Sequence, residues 1–105
     1  MATSTIRSAL PRYTFHEATD ATHTLTKGMY LYVFGYMANE HRNGVVLVTV
    51  RNSTETAQII TIGGDLTGVT ITDDGQDGGG RKIKVLRTST AGSVPHNVFY
   101  MGDTN

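Results

Sequence analysis

Asp73, Asp74 and Asp77 crowd into one eight-residue stretch, DDGQDGGG. With the Gln76 amide they offer the hard oxygen donors that Ca²⁺ gathers in sets of roughly six to eight. The alternating acids and distant glutamate of a calcium loop are missing here. A metal expectation at Asp73, Asp74 and Asp77 therefore stands beside a plainer one. In the plainer reading the stretch is a long flexible hairpin loop, its acids solvated and meeting Arg81 and Lys82. The glycines do not make a phosphate cradle, because Gly78, Gly79 and Gly80 run into RKIKVL, a strand pattern, where a P-loop runs into a helix.

The four histidines are His16, His23, His41 and His96. No short spacing unites them, so a metal site would need distant pieces of chain to converge. Exposed or capping roles are expected. Glu17 with Asp20, and Glu40 beside His41, are acid pairs outside any catalytic frame. No G-x-S-x-G elbow occurs, and the absence of cysteine removes thiol nucleophiles, thiolate metal sites and disulfides together. The expectation is a protein that is not an enzyme and carries no cofactor. Asn52, Ser53 and Thr54 match a glycosylation acceptor but read as a turn.

These residues have to be positioned by a single small domain of 105 residues, with nine basic and nine acidic side chains and no net charge. No basic field draws nucleic acid or an anionic membrane. A neutral chain also repels copies of itself little, which suits a subunit of an assembly. MATSTIRSAL contains no apolar run of signal-peptide length, and no stretch reads as a membrane span.

Period-two patterns dominate, cut by turn residues at Lys27-Gly28, Asn43-Gly44 and Gly63-Gly64. They predict about eight strands, near 12–16, 22–26, 29–38, 45–51, 57–62, 69–72, 81–87 and 97–101. The fold expected is an all-β, antiparallel β-sandwich, jelly-roll-like, over 12–105. Residues 1–11 read as an N-terminal arm whose Ile6, Arg7 and Leu10 serve attachment. Alternation puts Val46, Val48 and Val50 on one core face, as it does Ile60 with Ile62, Val69 with Ile71, and Ile83 with Val85. Opposite the last two pairs lie Thr70 and Thr72, then Lys82 and Lys84, with Arg87 nearby.

MYLYVFGYMA is the exception, apolar on both faces. One face carries Met29, Leu31, Val33 and Met37, and the other Tyr30, Tyr32, Phe34 and Tyr36. Paired in a hairpin with the next strand, the latter group is expected to join Val45 and Leu47 in one patch. That patch is either a second core face covered by loops or by Tyr13 and Phe15, a subunit interface, or a platform for sugar rings. Gly35 within the strand predicts a bulge or a close backbone approach.

The order of these features resembles the small β-sandwich tip and knob domains at the ends of bacteriophage tail fibres and related virion attachment proteins. The resemblance rests on THTLTKGMYLYVFGY, then VVLVTVRNSTETAQIITIGG, then GVTITDDGQDGGGRKIKVLRTST and a closing VFYM strand. It implies a homotrimer on the virion that engages host-surface polysaccharide and neighbouring virion proteins. The sequence starts at its own Met without the shaft such domains follow, so the expected alternatives are a short separate subunit, such as a capsid decoration or head-fibre protein, or a fragment. A stand-alone carbohydrate-binding module is another.

Overall fold

The structure is a computed structural model that describes residues 12–15, 20–37, 42–88 and 96–102. Its strands are β1 (Arg12–Phe15), β2 (Asp20–Leu25), β3 (Gly28–Met37), β4 (Arg42–Val50), β5 (Gln58–Gly64), β6 (Val69–Asp77), β7 (Gly80–Arg87) and β8 (His96–Gly102). All eight expected strands are present, and no helix occurs among the described residues. They form two antiparallel sheets, a five-stranded one ordered β1-β8-β3-β4-β5 and a three-stranded one ordered β2-β7-β6.

The chain is therefore an all-β sandwich. Its ends nest as in a jelly roll, β1 on β8 in one sheet and β2 on β7 in the other. The middle divides unevenly, because β3, β4 and β5 remain one meander.

Burial follows the two-residue period. Tyr30, Tyr32 and Phe34 of β3, Val46, Val48 and Val50 of β4, and Val98 of β8 point inward from the larger sheet. Leu25, Ile83 and Val85 meet them from the smaller one. Side chains of facing sheets interdigitate across about 10 Å, and each large one buried there contributes roughly 1.5–3 kcal/mol. Val69 and Ile71 pack at the edge of this core, as their alternation predicts.

Two glycines make the connections possible. Gly28, at φ +154°, ends the turn from β2 to β3, and a Cβ there would lie 2.5 Å from Tyr100 Cε1. Gly78, at φ +57°, turns β6 into β7, where Asp77 faces Gly80 in register. The stretch 73–80 is thus mostly strand ending in a tight turn, not a long loop. Asn43 and Gly44 do not form a turn either, since β4 already includes both. Gly44 is small for a packing reason, because a Cβ would stand 2.7 Å from Leu66 Cγ.

The bulge expected at Gly35 is present, as a register shift against β4 between Phe34 and Met37. Ile60 and Ile62, expected in the core, are instead 55% and 59% exposed. Ile59 packs inward in their place, because Val48 stands opposite it and Leu47 opposite Ile60. Arg87 is buried on the inner side of β7 and not on the lysine side, since it keeps the parity of Ile83 and Val85.

Candidate functional site

The tyrosine face is core. Tyr30, Tyr32 and Phe34 are buried, so the expected interface or sugar platform does not form from them. The Tyr30 hydroxyl donates to the Thr26 carbonyl at 2.9 Å, and its ring meets Tyr100 at 5.4 Å. Tyr32 is fully buried, and burial, with Tyr30 nearby, pushes its phenol well above the ordinary range. Its hydroxyl is the only buried side-chain polar atom without a partner among the described residues. Tyr36 lies in β3 beyond the bulge, and its side chain is outside the described residues.

Val45 and Leu47 do not join the tyrosines. In β3–β4 register Tyr32 faces Val46, while Leu31 faces Leu47 and Val33 faces Val45. Directly opposed residues of an antiparallel pair share a face, so Val45 and Leu47 belong with Leu31 and Val33 on the outer side. The register carries this side across the sheet. Phe99 faces Leu31, Leu31 faces Leu47, and Leu47 faces Ile60, one apolar residue from each of four strands. Met29, Leu31, Val33, Val45, Leu47 and Phe99 are all half-buried there, with Thr49, Gln58 and Asn97 as polar neighbours.

The smaller sheet is built differently. Its outer side carries Thr22, Thr24, Thr70, Thr72, Lys82 and Lys84, with Leu86 as the apolar member. Antiparallel sheets commonly solvate such a face with polar residues. The outer face of the larger sheet departs from that rule, and it ends on an edge. Among the described residues strand β5 pairs with β4 alone, and the stretch TAQIITIGG that contains it has no charge. Edge strands are ordinarily protected by charge, proline, bulges or a cover. Of these β5 has a bulge, between its pairings with Val45 and Val46.

The three aspartates diverge. Asp74 accepts from Thr72 at 3.2 Å and Asp77 from Thr24 at 2.6 Å, both exposed. Asp73 turns inward to Arg81, which donates Nε–H to Oδ2 at 2.9 Å and Nη2–H to Oδ1 at 2.8 Å. The backbone amides of Ala57 and Gly75 donate to the same carboxylate at 2.7 and 2.8 Å. The Arg81 hydrogen bonds, with help from those amides, lower the Asp73 carboxyl from 3.8 to about 2. No group of three or more His, Cys, Asp or Glu that could hold a metal ion occurs among the described residues.

Arg81 also donates to the Ser53 carbonyl at 2.9 Å. The Asp73–Arg81 pair therefore fastens the β4–β5 connection of one sheet to the β6–β7 hairpin of the other. Asn52 supports that connection by accepting from the Thr54 and Glu55 amides at 3.0 and 2.8 Å, so NST is a turn, as expected.

Two histidines from opposite ends of the chain meet between the sheets. His23 Nε2 lies 3.2 Å from His96 Nε2, and His96 is 2% exposed. The His96 ring stacks with Tyr32 at 6.0 Å and with Phe34 at 5.3 Å. Burial, then the neighbouring His96, lowers the His23 imidazole from 6.5 to about 4. Neither histidine fits the exposed or capping role expected of it. Seventy-three residues of sequence separate them, so no local pattern signals the meeting. His16, His41 and the arm residues Ile6, Arg7 and Leu10 lie outside the described residues.

No family model, curated protein or solved structure matches this chain.

Proposed function

We propose that this chain is a non-enzymatic structural subunit that assembles with copies of itself through the outer face of its five-stranded sheet. The observation that carries the reading is the apolar row Phe99, Leu31, Leu47 and Ile60. The patch spans four strands and about six residues along each, on the order of 400 Å² of sheet plane. A stable contact buries roughly 800 Å² per partner. The uncharged β5 edge with Ile62, and Met101 at 45% exposure, supply further apolar surface around it. The zero net charge favours self-association over capture of a charged partner.

In this reading the chain acts like the tail-fibre tip and knob domains it resembles, as a virion subunit, in a trimer, beside other virion proteins and host-surface polysaccharide. Sugar recognition would then fall to loops or intersubunit grooves, since Tyr30 and Tyr32 are buried. Replacing Leu47 and Ile60 together by lysine tests the proposal. The wild-type chain is expected to sediment as an oligomer and the double variant as a folded monomer. An unchanged mass for the variant would overturn it.

A further inference from the structure

We propose that His23 and His96 form a binding site for one divalent transition-metal ion of the class that imidazole ligates, with zinc as the reference ion. The two rings come from β2 and β8, strands of different sheets, and present Nε2 to Nε2 at 3.2 Å. Two imidazole nitrogens bound at about 2.0–2.1 Å on a tetrahedral ion stand roughly 3.3 Å apart. The observed spacing is that of a hydrogen bond between the two rings, and it is also close to the one a shared ion requires. To take an ion the pair gives up its mutual hydrogen bond, both lone pairs turn to one point, and the proton of the donor ring moves from Nε2 to Nδ1.

The surroundings support a ligand at this place. Tyr32 lies 5.9 Å from the His23 ring and 6.0 Å from the His96 ring, centre to centre. It carries the buried hydroxyl that has no hydrogen-bond partner among the described residues, so the third ring of the cluster brings an unsatisfied oxygen into the same part of the core. An apolar core gains nothing from such an atom, whose burial without a partner is unfavourable. Phe34 stacks on His96 at 5.3 Å and on Tyr32 at 6.3 Å, so the three rings form one aromatic cluster. His23 is only half-buried, so the pair is not sealed from solvent on its side. Imidazole suits zinc, copper, nickel and iron(II), and the absence of cysteine makes softer thiolate chemistry impossible. An ion here would bridge the two sheets, so binding should stabilise the fold.

The test uses the untagged chain, stripped with EDTA and dialysed into metal-free buffer. Calorimetric titration with ZnCl₂ should give one equivalent per chain, accompanied by a rise in Tm, and Co²⁺ should produce a visible absorption band. His23→Gln should weaken Zn²⁺ binding by at least about tenfold. Nitrogen-15 spectra of wild-type imidazoles provide a readout independent of that variant's folding, with the His23 and His96 Nε2 resonances shifting together on Zn²⁺ addition. The proposal is overturned if folded wild-type protein takes up neither ion at high micromolar concentration. It is equally overturned if those two resonances stay fixed, or if His23→Gln binds as tightly as wild type.

Discussion

Arg81 grips Asp73 through two parallel hydrogen bonds of 2.9 and 2.8 Å, and both side chains are nearly closed off from solvent. The pair joins the two sheets at one end, because Asp73 also accepts from the Ala57 amide and Arg81 donates to Ser53. Removing one partner of a buried pair leaves an uncompensated charge, whereas replacing both with apolar groups is often tolerated. Asp73→Asn is expected to lower Tm by at least about 5 °C. Asp73→Leu combined with Arg81→Met should recover part of that loss. Thermal unfolding of the three proteins checks the order, and a double variant worse than the single one would contradict it.

The same carboxylate sets an acid limit. Its folded value is depressed, from 3.8 to about 2, so its stabilisation is complete above 3.8 and lost as pH falls towards 2. Urea unfolding of wild type and Asp73→Asn should differ by a constant amount at pH 5 to 7, about the neutral range. The gap should narrow below about pH 4. A gap that stays constant down to about pH 2 would show that Asp73 draws no stability from its ionised form.

Tyr30 and Tyr32 share a strand face but use their hydroxyls in opposite ways. Tyr30→Phe deletes the bond to the Thr26 carbonyl and should cost about 1 kcal/mol. Tyr32→Phe deletes a buried group with no partner and should be neutral or stabilising by up to about 1 kcal/mol. Denaturant midpoints in EDTA, which keeps any metal off the histidines, give both values. Equal losses in the two variants would contradict the contrast.

Gly28 fits where no side chain does. Ala in its place would meet the Tyr100 ring and adopt an unfavourable φ, so Gly28→Ala should cost more than about 1 kcal/mol. Adding Tyr100→Ala relieves the clash but not the backbone, so the double variant's coupling energy separates the two contributions.

Much of the fold is legible in the sequence because period-two burial is a local property. It places all eight strands and the inward valines of β4, and Gly35 foretells the bulge that follows Phe34. What is not local is register. Whether Val45 or Val46 stands beside Tyr32 depends on how β3 and β4 align, and a shift of one residue moves a side chain to the other face. That single step separates the expected tyrosine patch from the aliphatic face that exists. Asn43 and Gly44 mislead for a related reason, since a dipeptide suited to a turn serves here as strand packed under Leu66. Asp73 reads like its neighbours in sequence and differs only because strand parity turns it towards Arg81. The meeting of His23 with His96 follows from the sheet order, which no periodicity contains.

The central claim, that the outer face of the larger sheet is covered by another copy of this chain, is tested most directly by the mass of the wild-type protein in solution. Sedimentation equilibrium across a wide concentration range should give a single closed oligomer, a trimer in the tail-fibre-like reading, that dissociates on dilution. A mass of 11.4 kDa persisting at high micromolar concentration, with Leu31, Leu47 and Phe99 still open to solvent, would contradict it.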